Sequence, residues 1–361
     1  MDTHLNIIDN RDRMTSIDRV NSLLNGKQID RVPFFPFSLG FSAKNAGYPI
    51  GSVYSEPVRS FDAQLWTQQM YGYDQDPFFG SAVYGTSEFG GEVEFPNSDS
   101  IQSPRSKRYP VQSLDDIDKL RLPDPHTAGN LPKALEFSSI QESRGCFISL
   151  VVGGAFTTAG NICGVTNLCR WIIKEPEAVH RVVQLAADHI LSAARLWVKV
   201  FGTERLLVQI WEPLAANSII SPRHFEEFVL PNQHKLHQEI LGLGVKHILC
   251  HICGEQNKNL PLWSQVPMGA PGIVSLGQQV SLEDGIKHFG SNHIVAGNLS
   301  TSLVAGGTAD EVYQAAKGCI QAGKDAPNGY ILMTACETPP STPPYNFYML
   351  TKAINDFGFY D

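Results

Sequence analysis

Segments typical of β-strands alternate with segments typical of α-helices after residue 145, and this alternation limits the possible folds more than any other feature. Apolar, strand-like runs occur at 146–152, 206–210, 245–250, 273–276, 293–296 and 330–334. Helical patterns lie between and after them at 176–201, 222–241, 282–289, 308–321 and 344–357. Strands and helices that alternate in this way form parallel sheets with crossover helices.

The amino-terminal part adds one more strand. Residues 1–14 are polar and are predicted to form a loose arm, and Ser16 is predicted to cap an amphipathic helix that stops at Gly26. A short strand is expected at 31–37, because its prolines suit the ends of a strand but not its middle. The number of units predicts an α/β fold of the (β/α)8 barrel type. We therefore expect one domain over residues 1–361, since α/β barrels exceed the usual domain size of about 150 residues.

The stretch 40–125 differs from the rest of the chain. Glycine, proline, serine and aromatic residues are mixed in it without clear periodicity, and one helical segment is recognisable at 113–120. So long an irregular stretch is typical of a lid or an elaborated loop over a site. An irregular subdomain packed through its aromatic residues is the alternative.

Composition excludes several classes of protein. The formal charge is −8, which argues against a surface for nucleic acid or anionic membranes. We find no run of 18 apolar residues and no basic-then-apolar start, so neither a membrane span nor a signal peptide is expected. Seven cysteines in such a chain point to the reduced cytoplasm, where cysteines and histidines serve as metal or catalytic sites more often than as disulfides.

Polar side chains follow the predicted strands, where the active sites of such barrels are built. Glu212, His251, Cys253, Asn298 and Cys336 each come at or just after a strand. Because the carboxyl ends of parallel strands meet at one mouth, these groups are expected to converge there.

His251, Cys253 and Cys336 are the candidate metal ligands. His251 and Cys253 are two residues apart, so in an extended strand end they face the same side. One imidazole and two thiolates match the preference of zinc, and three protein ligands leave the fourth position open for a substrate. The alternative is two small buried thiols and a satisfied core histidine. The other five cysteines lie in apolar surroundings and are expected to fill the core.

Glu212 allows several interpretations. It is a candidate general acid or base, a partner behind the metal ligands, a fourth ligand, or a member of a structural ion pair. Glu337, beside Cys336, carries the same alternatives.

Together these residues resemble the uroporphyrinogen decarboxylase superfamily, and within it the zinc-dependent methylcobamide:coenzyme M methyltransferase branch. The resemblance extends over nearly the whole chain, and its most specific element is the H-x-C pair with a distant cysteine. The segments that carry it are 30–33, 154–159, 212–222, 225–231, 251–254, 297–298 and 336–343.

The resemblance implies a site and a chemistry. His251, Cys253 and Cys336 would bind Zn²⁺, Glu212 and Asn298 would orient ligands or the acceptor, and Gly154, Phe156 and Thr157 would contact the cofactor. A corrinoid such as methylcobalamin would be the methyl-carrying co-substrate. Since the chain contains no D-x-H-x-x-G cobalt-ligand motif, a separate corrinoid protein is the expected partner, together with a small thiol or methylated substrate.

Three functions remain open at this point. The first is methyl transfer between a corrinoid and a thiol such as coenzyme M, and the second is demethylation of a small methyl ether, thioether or halide. The third is a ligand-binding barrel with structural zinc. A decarboxylase is disfavoured, because residues 34–41 lack the arginine and aspartate that those enzymes carry after the first strand.

Overall fold

A computed structural model describes residues 11–98 and 101–360. Seven strands within these residues form one parallel sheet, hydrogen-bonded in the order β1-β9-β8-β7-β6-β5-β4, and a separate antiparallel hairpin contains β2 and β3. The strands are β1 (Phe34–Phe35), β2 (Glu92–Glu94), β3 (Arg105–Arg108), β4 (Ile148–Gly153), β5 (Leu206–Trp211), β6 (His247–Ile252), β7 (Ile273–Leu276), β8 (Ile294–Leu299) and β9 (Tyr330–Thr334). The predicted α/β fold class is confirmed, with a curled sheet of seven parallel strands.

Helices flank this sheet, and side-chain hydroxyls such as those of Ser281 and Thr308 cap the amino ends of some of them. A 3₁₀-helix at Pro213–Ala215 and a π-helical turn at Phe225–Val229 accompany the α-helices. The α-helices are α1 (Ser16–Leu24), α2 (Leu39–Asn45), α3 (Ser52–Ser55), α4 (Pro57–Tyr71), α5 (Leu114–Ile117), α6 (Leu131–Ser143), α7 (Ala155–Cys163), α8 (Val165–Lys174), α9 (Pro176–Phe201), α10 (Pro222–His224), α11 (Leu230–Gly242), α12 (Leu260–Trp263), α13 (Leu282–Phe289), α14 (Thr301–Gly306), α15 (Ala309–Gly323) and α16 (Pro344–Phe357).

The two faces of the sheet are apolar, as expected of a parallel sheet covered on both sides. Leu249 of β6, Ile273 of β7 and Ile331 of β9 belong to a cluster inside the curl. Their neighbours Cys250 and Val274 belong to a second cluster between the sheet and the helices. Alternate residues of each strand therefore face the inside of the curl and the helical layer.

The segment 73–79 runs between β1 and β4, where a closed barrel would have its eighth strand. The Asp74 N–H donates to the carbonyl of Phe34 at 2.9 Å, and the Asp76 carboxylate accepts from the N–H of Phe147, just before β4, at 2.8 Å. The Asp74 carboxylate also accepts the N–H of Phe34, so two carboxylates take N–H groups that backbone carbonyls would accept in a regular sheet. This explains why seven regular strands, rather than the eight of a (β/α)8 barrel, are present among the described residues.

Two boundaries near the amino terminus differ from the prediction. Helix α1 is capped by Thr15, not Ser16, because the Thr15 hydroxyl accepts from the N–H of Asp18 at 3.2 Å. Most of the predicted arm, residues 1–10, lies outside the described residues. Asp12, near its end, forms ion pairs with Arg19 and Arg31 at 2.8 and 2.7 Å.

The stretch 40–125 is more regular than predicted. It contains the end of α2, then α3, the 15-residue α4 and the β2–β3 hairpin, in addition to the expected helical turn, α5. None of the helices in the described part of the chain is long and apolar enough to cross a membrane.

Candidate metal centre

His251, Cys253 and Cys336 converge at the carboxyl end of the sheet. His251 lies on the inner face of β6, Cys253 follows that strand, and Cys336 follows β9. The ligand atoms of the three side chains all lie within 4.8 Å of one another. The structure therefore brings together the three residues that the sequence predicts as metal ligands, although they come from the ends of two separate strands.

The His251 ring is held in the orientation of a metal ligand. Its Nδ1 lies 2.9 Å from the Ser275 hydroxyl, and that hydroxyl lies 3.3 Å from the Met333 sulfur, to which it donates. Ser275 therefore accepts the Nδ1 proton, which leaves a lone pair on Nε2. Nε2 is buried without a hydrogen-bond partner among the described residues. A buried polar atom of this kind needs a partner, and a metal ion supplies one.

The thiols of Cys253 and Cys336 lie close enough to shift each other's pKa. A hydrogen bond from the Cys253 thiol holds the pKa of Cys336 well below its ordinary value. The same hydrogen bond and burial raise the pKa of Cys253. Both cysteines are half-buried and free of disulfides. One nitrogen and two sulfurs with partial access to solvent form a donor set that fits zinc with an open position.

An aromatic wall, defined here as Phe37, Phe78 and Trp211, stands beside the imidazole. The Phe37 ring centroid lies 5.6 Å from that of His251 and 4.8 Å from that of Trp211. Phe37 adopts a φ of 48°, which is rare for a bulky residue. Hydrogen bonds from Thr338 N–H to its carbonyl and from its own N–H to Gln75 keep it there. Backbone strain of this kind typically marks functional sites.

Glu337 connects the Cys336 loop to the segment after β1. Its Oε1 accepts from the Tyr54 hydroxyl and from the N–H of Gly40 at 3.1 Å. Gln102 donates to its backbone carbonyl at 2.7 Å. Burial raises the pKa of this carboxyl to about 8. The region predicted to form a lid thus contacts the residue next to a candidate ligand.

Glu212 follows β5, and its carboxylate lies at the amino end of α7. Its carboxylate accepts from the N–H groups of Phe156 at 3.0 Å and Thr157 at 2.7 Å, and also from the Thr157 hydroxyl. Burial raises its pKa to about 7. Burial and, to a lesser degree, this carboxylate raise the pKa of Cys250, which faces the helical layer. With no basic side chain bonded to it among the described residues, Glu212 acts as a helix cap and is not part of an ion pair.

The remaining predicted site residues make backbone contacts. Phe156 and Thr157 direct their N–H groups to Glu212, and a Cβ on Gly154 would come within 2.1 Å of that carboxylate. The Asn298 amide donates to the carbonyls of Gly277, at 3.2 Å, and Val280. These contacts shape the loops around the mouth, and their roles toward a cofactor or an acceptor stay predictions.

Sequence reasoning missed Ser275, Phe37 and Tyr54. Ser275 has a detectable signal, because it is a polar residue within the apolar strand β7 and pairs in register with His251. Phe37 and Tyr54 have no such signal, since aromatic residues are common throughout that region.

Comparison with known proteins gives a family match and several relatives. The sequence model of the family described as uroporphyrinogen decarboxylase (URO-D) matches residues 15–357. A methylated-thiol–coenzyme M methyltransferase of Methanosarcina mazei is 31% identical over 202 residues. The match covers 56% of this chain and 51% of that relative, so it spans about half of the relative's length.

Two further matches are more extensive. The methylcobamide:CoM methyltransferase MtbA of the same organism is 24% identical over 264 residues, which cover 72% of this chain and 74% of that protein. A solved structure of a methyltransferase from Methanosarcina mazei superposes with a TM-score of 0.80 at 21% identity. It covers 96% of this chain and 99% of the other, and this likeness establishes the fold.

Proposed function

The chain belongs to the uroporphyrinogen decarboxylase family, and within that family we propose that it is a zinc-dependent methyltransferase that moves a methyl group between a corrinoid and a small thiol. The observation that carries the proposal is the buried, unpartnered Nε2 of His251 facing the thiols of Cys253 and Cys336. The family's decarboxylation chemistry has no use for such a set. The relatives' names, which include methylcobamide and coenzyme M, support the corrinoid and the thiol class of the acceptor.

Each residue of the centre has a defined task. Zinc bound here would bring a thiol to its open position and favour the thiolate at neutral pH. Ser275 fixes the tautomer of His251 by accepting the Nδ1 proton. Phe37 and Trp211 limit access of water to the imidazole, and Glu337 holds the loop that carries Cys336.

The overall reaction balances as a displacement. The sulfur forms a bond to the methyl carbon, and the cobalt–carbon bond breaks with both electrons remaining on cobalt. Cobalt passes from the +3 to the +1 state, and the thiol proton leaves to solvent. We propose that a separate corrinoid protein in the cytoplasm presents the methyl group, in line with the methylcobamide in the name of the relative MtbA.

The reverse direction is the second candidate. The Methanosarcina mazei relative is named for a methylated thiol, which favours demethylation of a thioether by the same centre. In that case cobalt in the +1 state attacks the methyl carbon and the thiolate leaves.

Both directions are tested with free cobalamins. Zinc-loaded protein is mixed with methylcobalamin and a thiol, or with cob(I)alamin and the S-methylated thiol, and the cobalamin spectrum is followed. We expect conversion in at least one direction, and its loss after metal removal and recovery with zinc. Equal rates with zinc-loaded and metal-depleted protein in both directions would refute the proposal.

A further inference from the structure

We propose that the thiol or thioether substrate is uncharged or positively charged at the end remote from sulfur, and that an anionic group such as a sulfonate is selected against. This inference rests on the proposed function and names the substrate class of the same site. It departs from the names of the relatives, whose acceptor, coenzyme M, carries a sulfonate.

The distribution of basic residues is the first argument. The chain has 28 lysines and arginines, and all of them lie among the residues that the structure describes. Arg19 and Arg31 are the buried ones, at 1% and 3% exposure. Both bind Asp74 at 2.6 Å, near the amino ends of the strands and therefore at the opposite end from the metal centre. No buried cation remains to pair with an anion beside Cys336.

The surroundings of the candidate ligands are the second argument. Phe37 and Trp211 face the imidazole, and Met333 lies behind Ser275. Glu337 and Tyr54 are buried polar side chains next to Cys336, at 7% and 1% exposure. The Tyr54 hydroxyl already donates to Glu337, so it offers no free proton to a substrate anion.

These surroundings discriminate by charge. An anion that enters a partly buried, aromatic space loses hydration, and it needs a cation or several N–H donors in return. A hydroxyl has a much smaller desolvation penalty. An ammonium group is accommodated by aromatic faces and carboxyl oxygens. The site therefore favours a neutral or cationic tail over an anionic one.

A series of three thiols of equal chain length tests the inference. The probes are 2-mercaptoethanesulfonate, 2-mercaptoethanol and 2-aminoethanethiol, titrated into Co²⁺-substituted protein while the sulfur-to-cobalt absorption is recorded. Dissociation constants are corrected for the thiolate fraction of each probe in solution. Cys253→Ser, which removes a candidate ligand, serves as the control for binding outside the centre.

We expect the neutral and cationic probes to bind at least tenfold more tightly than the sulfonate, at both low and high salt. Equal or tighter binding of the sulfonate overturns the inference, as does failure of all three probes to bind. A preference that disappears at 1 M salt also overturns it, because the overall charge of −8 would then be its source. Binding is read without methyl transfer, so failure of the proposed function would appear separately, as selective binding without reaction.

Discussion

At the scale of single residues, the Ser275 hydroxyl orients a candidate metal ligand, His251, without itself being a ligand. Ser275 lies on β7, one strand away from the ligand that it orients, and its hydroxyl lies 2.9 Å from Nδ1 of His251. Metal-binding histidines generally donate their second N–H to such a partner, which fixes the ring and increases ligand basicity.

Replacing this hydroxyl should weaken metal binding without removing a ligand. For Ser275→Ala we expect zinc affinity about 10- to 100-fold lower, measured by competition with a chromophoric chelator. Ser149→Ala is the matched control, because Ser149 is a similarly enclosed hydroxyl on β4 that contacts Gln209 instead. Equal affinities in the two variants would show that Ser275 does not act on the metal.

A second residue-scale prediction concerns His189 on α9. The side chain is fully buried between Tyr84 and Phe89, and neither ring nitrogen has a partner among the described residues. Burial lowers its pKa to about 4. As pH falls below about 6.5, the unfolded chain takes up a proton that folded His189 refuses until about pH 4, so stability falls across this window.

His189→Phe should remove this loss. Relative to wild type, His189→Phe should be more stable at pH 5 than at pH 8. The relative gain in the free energy of unfolding between the two pH values should be about 2 kcal/mol. Urea titrations at the two pH values measure it. His180→Phe, at a half-buried position of the same helix, is the control. If both variants depend on pH as the wild type does, His189 is not the group that titrates.

At the scale of elements, the segment 73–79 completes the curled sheet through ionic contacts. Asp74 binds Arg19 of α1 and Arg31 before β1, and it accepts the N–H of Phe34 at 2.9 Å. Arg31 belongs to the 30–33 segment on which the family resemblance rests. Through Arg31, the segment 30–33 thus stabilises the end of the sheet that is remote from the metal centre.

Breaking this buried cluster should be strongly destabilising. Asp74→Asn leaves two buried guanidinium groups with less compensation, and we expect a loss of about 3–5 kcal/mol in the free energy of unfolding. Glu204→Gln breaks the exposed pair with Lys246, 3.0 Å long, and should change stability by about 0–1 kcal/mol. Chemical denaturation compares the two. Similar small losses would mean that the cluster contributes little.

The sequence predicts elements well where their polarity follows a period. Helices α9, α13 and α16 begin and end where the pattern places them. Helix α4 was not predicted, because its polar and apolar residues do not separate onto two faces. It buries the polar side chains of Ser60, Gln64 and Thr67, whereas the apolar Trp66 and Met70 are half-exposed. Helix α7 escaped because eight of its nine residues are buried, so it has no polar face.

At the scale of the whole molecule, the two ends of the sheet have different chemistry. Buried arginines and aspartates occupy the amino end, whereas one imidazole, two thiols and aromatic rings occupy the carboxyl end. We infer that residues 1–361 form one domain, because the family match spans 15–357 and one curled sheet unites both ends.

The candidate ligands were predictable because strand ends can be read from the sequence, and a curled parallel sheet brings distant strand ends together. The contacts of Glu212 were not predictable. Its place after β5 suggested a role toward ligands at the mouth, but its carboxylate accepts the N–H groups at the amino end of α7. Side-chain direction just after a strand depends on backbone dihedrals that residue types do not reveal.

Metal content tests the central claim most directly. Purified wild-type protein and the variants Cys253→Ser, Cys336→Ser and Cys319→Ser are loaded with zinc, freed of excess metal, and analysed by mass spectrometry for zinc per chain. Cys319, on α15, lies outside the centre and is the matched control. We predict equimolar zinc in the wild type and in Cys319→Ser, and loss of most zinc from the other two variants while their folds persist. Equimolar zinc in Cys253→Ser and Cys336→Ser would contradict the assignment of this centre.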